Sequence, residues 1–194
     1  GHVGGAVRDA LRAKMSQEVS AQPFTFVPKD LDFATSAWPE KTMEILRKNN
    51  LPVHPIGLEF GTVGTRLNDL PVEITTFRCN ESYKKGSRKP KVAFGTTIHG
   101  DLARRDFTIN AIAMDSQGAL IDPFDGIHDI FAGLLGCPLD AETSFGDDPL
   151  RMLRAYRFIA QLGNGLVWLE ANAINKMASQ ICEVSGERIF SEMS

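Results

Sequence analysis

Two runs of β-forming residues, Phe60 to Leu67 and Leu70 to Phe77, are separated only by Asn68-Asp69. Asn and Asp tolerate positive φ, so the pair suits the tight turn of a β-hairpin. A hairpin demands antiparallel pairing, which excludes a doubly wound, all-parallel sheet. The expected fold is therefore α+β, a small mixed β-sheet with helices on one face, followed by an all-α region. In the second run Val72, Ile74 and Thr76 share one face, and Glu73, Thr75 and Phe77 share the other. Glu73 is thus an acid inside a strand of β-formers. It reads either as an edge-strand glutamate facing water or as a carboxylate turned toward a site.

A second short apolar run, Lys29-Asp30-Leu31-Asp32-Phe33-Ala34-Thr35, carries two acids. On a strand Asp30 and Asp32 leave the same face, with Cα atoms roughly 6–7 Å apart. Such a pair is either a turn or solvated strand edge, or the mouth of a site for one or two Mg²⁺ ions, which take carboxylate and phosphate oxygens. An adjacent strand could bring Glu73 alongside. Three crowded carboxylates repel one another unless cations neutralise them.

The chain has 194 residues and a net charge of −3, so any phosphate or RNA binding must come from local clusters of charge. Gly4-Gly5 leads into a helix expected from about Ala6 to Met15. The glycines and Arg8 either cradle phosphate oxygens at the helix start or make a plain strand-to-helix turn. Only three residues precede the glycines, too few for a strand, and the chain is expected to be a fragment at this end. Residues 16–28 are polar with Pro23 and Pro28, and read as a loop with one short extended piece. A helix starts near Ser36-Ala37-Trp38-Pro39-Glu40 and stops at Asn49-Asn50. Lys84, Lys85, Arg88, Lys89 and Lys91 form a basic segment containing Gly86 and Pro90. It is either a mobile loop for RNA phosphates or a nucleotide, or a solvated loop. Asp101 to Met114 reads as helical in its second half, with Arg104-Arg105 bracketed by Asp101 and Asp106. Ala119 to Phe124 reads as a short strand, and Gly126 to Leu135 as a short helix.

From residue 146 to 162 the pattern is a helix, with Asp148 suited to the N-cap and Pro149 to the first turn. Arg151, Arg154 and Arg157 recur every three residues as one basic stripe, with Asp148 on the side of Arg151. Further helices are expected from Leu169 to Val184 and from Ser185 onward. Everything after residue 136 is thus expected to be helical, giving two domains, 1–136 and 137–194, the second incomplete. Cys79, Cys137 and Cys182 are scattered, as are the four histidines. They suggest neither a zinc site nor a disulfide framework, and a cytoplasmic setting is expected. No apolar run approaches the roughly 18 residues that cross a membrane.

Seven segments occur in a fixed order: Gly-Gly-Ala-Val-Arg-Asp (4–9), Asp-Leu-Asp-Phe-Ala-Thr (30–35), Glu-Ile-Thr-Thr-Phe-Arg (73–78), Asp-Leu-Ala-Arg-Arg-Asp-Phe-Thr-Ile-Asn-Ala (101–111), Asp-Pro-Phe-Asp-Gly (122–126), Asp-Asp-Pro-Leu-Arg-Met-Leu-Arg-Ala-Tyr-Arg-Phe (147–158) and Ser-Gly-Glu-Arg-Ile (185–189). Together they resemble the class II CCA-adding tRNA nucleotidyltransferase and bacterial poly(A) polymerase family. The resemblance implies a polymerase-β-like nucleotidyltransferase head followed by a helical neck. It implies Asp30 and Asp32 as Mg²⁺ ligands of a two-metal site, with Glu73 as the third catalytic carboxylate. Gly4, Gly5 and Arg8 become triphosphate or ribose contacts, and Arg105 a further nucleotide contact. Asp148 and Arg151 become the amino-acid template for the incoming base, with Arg154 and Arg157 beside them, and the basic segment becomes the family's flexible loop. The implied activity is addition of CTP- and ATP-derived nucleotides to the tRNA 3′ end. The alternatives are poly(A) synthesis, partial CC or A addition, or a binding module that does not catalyse. The family usually has Glu-Asp where this chain has Asp147-Asp148, and residues 10–29 are longer than its usual link.

Overall fold

The computed structural model describes residues 1–20, 28, 30–79, 93–163 and 165–193. The chain opens on a two-residue strand, β1 (His2–Val3), and turns at Gly4 into α1 (Gly5–Ser20). β2 (Leu31–Thr35), α2 (Pro39–Lys48), β3 (Thr62–Leu67), β4 (Leu70–Thr76), β5 (Arg78–Cys79), β6 (Ala93–Phe94) and α3 (Ile98–Ala103) follow. A 3-10 turn at Thr108–Asn110 leads to β7 (Ala113–Met114) and β8 (Leu120–Ile121). The remainder is α4 (Gly126–Ala132), β9 (Leu134–Leu135), α5 (Ala141–Asp147), α6 (Leu150–Leu162), β10 (Gly165–Leu166), α7 (Trp168–Met177) and α8 (Gly186–Met193).

The main sheet is mixed, in the order β3-β4-β2-β1-β7-β8. The expected hairpin is β3–β4, and its turn residues Asn68 and Asp69 have φ of 47° and 67°, the left-handed conformation that a two-residue turn requires. β4 also pairs in parallel with β2, which makes the sheet mixed. Two of the three residues before Gly4, His2 and Val3, do form a strand, contrary to expectation. His2 pairs with Phe33 on one side and Met114 on the other, and Val3 pairs with Ala113. Two residues suffice because both edges are occupied and Val3 is buried.

Other boundaries shift for local reasons. α1 continues to Ser20, since no Gly or Pro interrupts it after Gly5, so residues 16–20 are helical rather than loop. Residues 21–27 and Lys29 lie outside the described residues, as does the basic segment 84–91. In the stretch 101–114 the helix is the first part, not the second. Phe107 is extended at φ −134°, and the Asp106 carboxylate accepts the Phe107 N–H and the Asn110 side-chain amide. Those local bonds compete with helix continuation. The helix at Gly126 ends at Ala132, where Gly133 takes φ +66°. The helix expected over 146–162 is two helices, because Asp148 precedes Pro149 and adopts an extended conformation. After α7 the chain tightens into a 3-10 helix, Ala178–Glu183. The region after 136 is not wholly helical either, since β10 pairs in parallel with β9.

The larger apolar core joins residues from both sides of position 136. Val7, Phe107, Ile112 and Leu135 pack with Phe145, Met152, Ala155 and Phe158. Each fully buried side chain of this size contributes about 1.5–3 kcal/mol relative to exposure. The 3-10 turn is clamped into this core. Asp122 accepts the N–H groups of Gly126 and Ile127, and Thr108 donates its N–H to the Gly136 carbonyl. A Cβ on Gly126 would lie 2.2 Å from the Thr108 carbonyl oxygen. That contact is between backbones and cannot relax by side-chain rotation. Gly126→Ala is therefore expected to destabilise the fold by about 3 kcal/mol, at the upper end of overpacking costs. Urea denaturation measures it, and an unchanged midpoint would refute the clamp.

Candidate active site

The carboxylates are organised by the parallel pairing of β2 with β4, whose register sets Asp32 opposite Glu73. Asp30 sits one residue before β2 and is exposed, whereas Asp32 is half-buried within it. Both line a cavity of about 770 Å³. Glu73 is exposed and does not line that cavity, but its charge reaches Asp32. Burial first, then the charges of Glu73 and Asp30, raise the Asp32 carboxyl above its ordinary value, with Arg105 pulling the other way. Among the described residues none donates a side-chain hydrogen bond to Asp30, Asp32 or Glu73. None of the described His, Cys, Asp and Glu side chains converge in threes tightly enough to enclose an ion. Still, oxygen-only donors crowded against one another, with hydrogen-bonding capacity uncommitted, fit a hard cation such as Mg²⁺.

The opposite walls are cationic. Gly4 has φ +73°, and a Cβ there would stand 2.9 Å from Arg105 Nη1 and 3.7 Å from Asp32 Oδ2. Glycine thus lets the first turn of α1 approach both a guanidinium and a carboxylate. Arg8, one turn into α1, donates through Nε and Nη2 to Asp9 at 2.7 and 3.0 Å, and through Nη1 to Asn110 at 2.7 Å. Asp101, only 1% exposed, holds both Arg104 and Arg105. Burial disfavours its charge, yet the two guanidiniums and the Arg78 N–H lower its pKa. On α6, Arg154 donates to Asp106 at 2.7 and 2.9 Å, and Arg157 pairs with Glu192 at 2.6 Å. The Phe158 ring lies beneath the guanidiniums of Arg8, Arg154 and Arg157, 4.9 to 5.5 Å from its centroid. A buried aromatic face thus gathers three like charges.

Asp148 and Arg151 lie in a smaller adjoining cavity of about 240 Å³. Arg105, Asp106 and Arg154 line both cavities. The N-cap of α6 is Pro149 rather than the expected Asp148, which stands one residue earlier; one Asp148 oxygen accepts the Leu150 N–H at 3.2 Å, and the other accepts from Arg188 at 2.9 Å. Arg151 donates to Ser144 Oγ at 2.8 Å and to the Arg104 carbonyl at 2.7 Å. The structure thus brings Gly4, Gly5, Arg8, Asp30, Asp32 and Arg157 to one cavity, and Asp148 and Arg151 to its neighbour. Sequence reasoning left Asn110, Phe158 and Glu192 without a site role. Asp106 was visible only as an acid beside an arginine pair. Burial is the main cause that pushes the Cys137 thiol up to about 12, so it stays protonated at neutral pH.

Residues 2–136 match the poly A polymerase head domain. The chain belongs to that family, which is also the family of the class II CCA-adding enzymes. A CCA-adding enzyme of Geobacillus sp. (strain WCH70) is 40% identical over 190 residues, 98% of this chain and 43% of that protein. One of Enterococcus faecalis is 37% identical over 190 residues, again 98% and 43%. Among solved structures, the Bacillus stearothermophilus CCA-adding enzyme in complex with CTP superposes with a TM-score of 0.80 at 38% identity, covering 99% of this chain and 42% of that one. A tRNA nucleotidyltransferase complexed with a primer tRNA and an incoming ATP analog gives 0.74 at 28% identity, covering 99% and 51%. The chain therefore spans less than half the length of the curated relatives it matches. Among the described residues no helix is long and apolar enough to cross a membrane.

Asp106 supplies a test of the wall between the cavities. Burial opposes its charge, but Arg154 and the hydrogen bonds from Asn110 and Phe107 lower its pKa from the ordinary 3.8. Its contribution to stability is then complete above that ordinary value and is lost as pH falls through the lower, folded one. Asp106→Asn is expected to cost roughly 3 kcal/mol at neutral pH, the lower end of the range for breaking a buried ion pair because Arg154 is about a third exposed, and to flatten the acid limb of the stability profile. Chemical denaturation at several pH values measures both, and an unaltered acid limb would contradict the assignment.

Proposed function

We propose that this chain is the nucleotide-transferring part of an enzyme that adds CTP- and ATP-derived nucleotides to the 3′ end of tRNA. One observation carries the reading: Asp30 and Asp32 face a cavity whose other walls present Arg8, Arg105, Arg154 and Arg157. A magnesium-bound nucleoside triphosphate is the ligand whose charge distribution matches both walls. The reaction is attack of an RNA 3′-hydroxyl on the α-phosphate. A P–O bond forms to the hydroxyl oxygen, the bond to the bridging oxygen breaks, and pyrophosphate leaves.

Asp30 and Asp32 would hold Mg²⁺, with Glu73 as the third carboxylate, and the bound ions would lower the hydroxyl's pKa and neutralise the leaving oxygens. The chain's own groups bind and orient. The N–H groups at the start of α1, which lines the cavity, would donate to phosphate oxygens, with the helix N-terminus adding positive potential. Arg8 and Arg105 hold the phosphates, and Arg154 and Arg157 extend the cationic wall toward the base. Asp148 and Arg151 read the base. Cytosine and adenine both offer an exocyclic amine beside a ring-nitrogen acceptor, which a carboxylate and a guanidinium satisfy. Each Asp148 oxygen already accepts one bond, and each keeps a second lone pair for the amine. Guanine and uracil set a carbonyl against that carboxylate and leave polar groups unpaired. In this reading residues 1–136 are the catalytic head and 137–194 the base-reading neck. Lys84, Lys85, Arg88, Lys89 and Lys91 supply the basic segment that contacts RNA or nucleotide.

Incorporation of labelled CTP and ATP into tRNA lacking its 3′ end, compared with generic RNA, tests the activity. Transfer to generic RNA alone would favour poly(A) synthesis. Asp32→Ala removes a metal ligand, and several kcal/mol of lost stabilisation corresponds to on the order of a thousandfold loss of rate. The melting curve should show the fold retained, and wild-type rates would overturn the metal role. Asp148→Ala is expected to weaken discrimination against UTP and GTP by roughly 100-fold. Unchanged nucleotide preference would remove Asp148 from the template.

A further inference from the structure

Asn110 ends the 3-10 turn and is 7% exposed. Its Oδ1 accepts from Arg8 Nη1 at 2.7 Å, and its Nδ2 donates to Asp106 Oδ1 at 3.0 Å. Its main-chain carbonyl accepts from Arg105 Nη1 at 3.4 Å. The other Asp106 oxygen holds Arg154. One residue therefore links three guanidiniums of the large cavity: Arg8 through its side chain, Arg105 through its main-chain carbonyl, and Arg154 through the Asp106 carboxylate. The amide has only one workable orientation, because a guanidinium donates and a carboxylate accepts. No other side chain of that volume offers an acceptor on one side and a donor on the other.

The link has a consequence for Arg8. A guanidinium carries five N–H donors. Among the described residues, Nε and one N–H of Nη2 go to Asp9, and one N–H of Nη1 goes to Asn110. One N–H on each terminal nitrogen is left uncommitted, on a side chain only 11% exposed that lines the cavity. Asp9 alone would hold one edge of the group and leave rotation about the other. Asn110 fixes that second edge from a turn that is itself tied to Gly136 and Asp122–Gly126. We propose that Asn110 is the positioning residue for the triphosphate-facing guanidinium of Arg8, locked in turn by Asp106. The proposal rests on the nucleotide reading above.

The test is a double-mutant cycle on binding of CTP with Mg²⁺ by the 194-residue chain, followed by titration calorimetry. Asn110→Ala is expected to weaken binding by ~10-fold or more, the scale of a hydrogen bond to a charged group. In an Arg8→Ala background the same change is expected to cost less than about threefold, because the group it positions is gone. Equal factors in the two backgrounds would overturn the proposal, since a general loss of structure acts in both. Thermal melts accompany each variant. Where Asn110→Ala does not fold, Asn110→Ser, which is still polar, replaces it in the cycle with the same expected factors. Absence of CTP binding by the unaltered chain would overturn the nucleotide reading, and this inference with it. Additive losses would overturn the inference alone.

Discussion

Parallel pairing of β2 with β4 is the constraint on which the site depends. The pairing sets Asp32 against Glu73 and leaves Asp30 just outside the strand. Like charges in a half-buried setting are costly, and the raised pKa of Asp32 records that cost. In the proposed reaction a cation bound there would offset that repulsion. The hairpin β3–β4 matters because it delivers Glu73 to this position. The short β1 matters because it ties β2 to β7 and so to the turn that carries Asn110.

The cationic walls show the same logic in reverse. The chain as a whole is mildly acidic at −3, so its positive field is local and assembled. Asp101, Asp106 and Glu192 each hold one or two arginines in place. None of these acids is a substrate group in the proposed reaction. They hold guanidiniums at fixed positions while the outward N–H groups remain available, which lowers the reorganisation needed when a polyanion arrives. Phe158 contributes through its ring face, where an aliphatic side chain would occupy the space without attracting the charges.

Much of this was legible in the sequence. The hairpin followed from β-formers around Asn68-Asp69, and the end of α2 from Asn49-Asn50. The pairing of Glu73 with the Asp30–Asp32 strand was visible as a possibility, because alternation put all three acids on defined faces. Other features were illegible for identifiable reasons. β1 has two residues, below the length at which periodicity exists. The stretch 101–114 carries helix-compatible residues, but Asp106 bonds its own neighbours and stops the helix. Asn110 acts on Arg8 across 102 positions, and no local pattern encodes that contact. The break between α5 and α6 could be read only by giving Pro149 more weight than the apolar periodicity on either side.

The apolar core that runs across position 136 has a mechanical meaning. Phe107, Phe145 and Ala155 are 0% exposed and belong to one packed cluster, and close-packed interiors are stiff. Asp32 and Glu73 sit on the sheet, Arg151 sits on α6 and Asp148 just before it, so the span between them is set by how that cluster fills its space. A change of side-chain volume at Phe145 or Ala155 would act as a shim in a caliper. It would alter the gauge between the two jaws while leaving the surface of each jaw untouched.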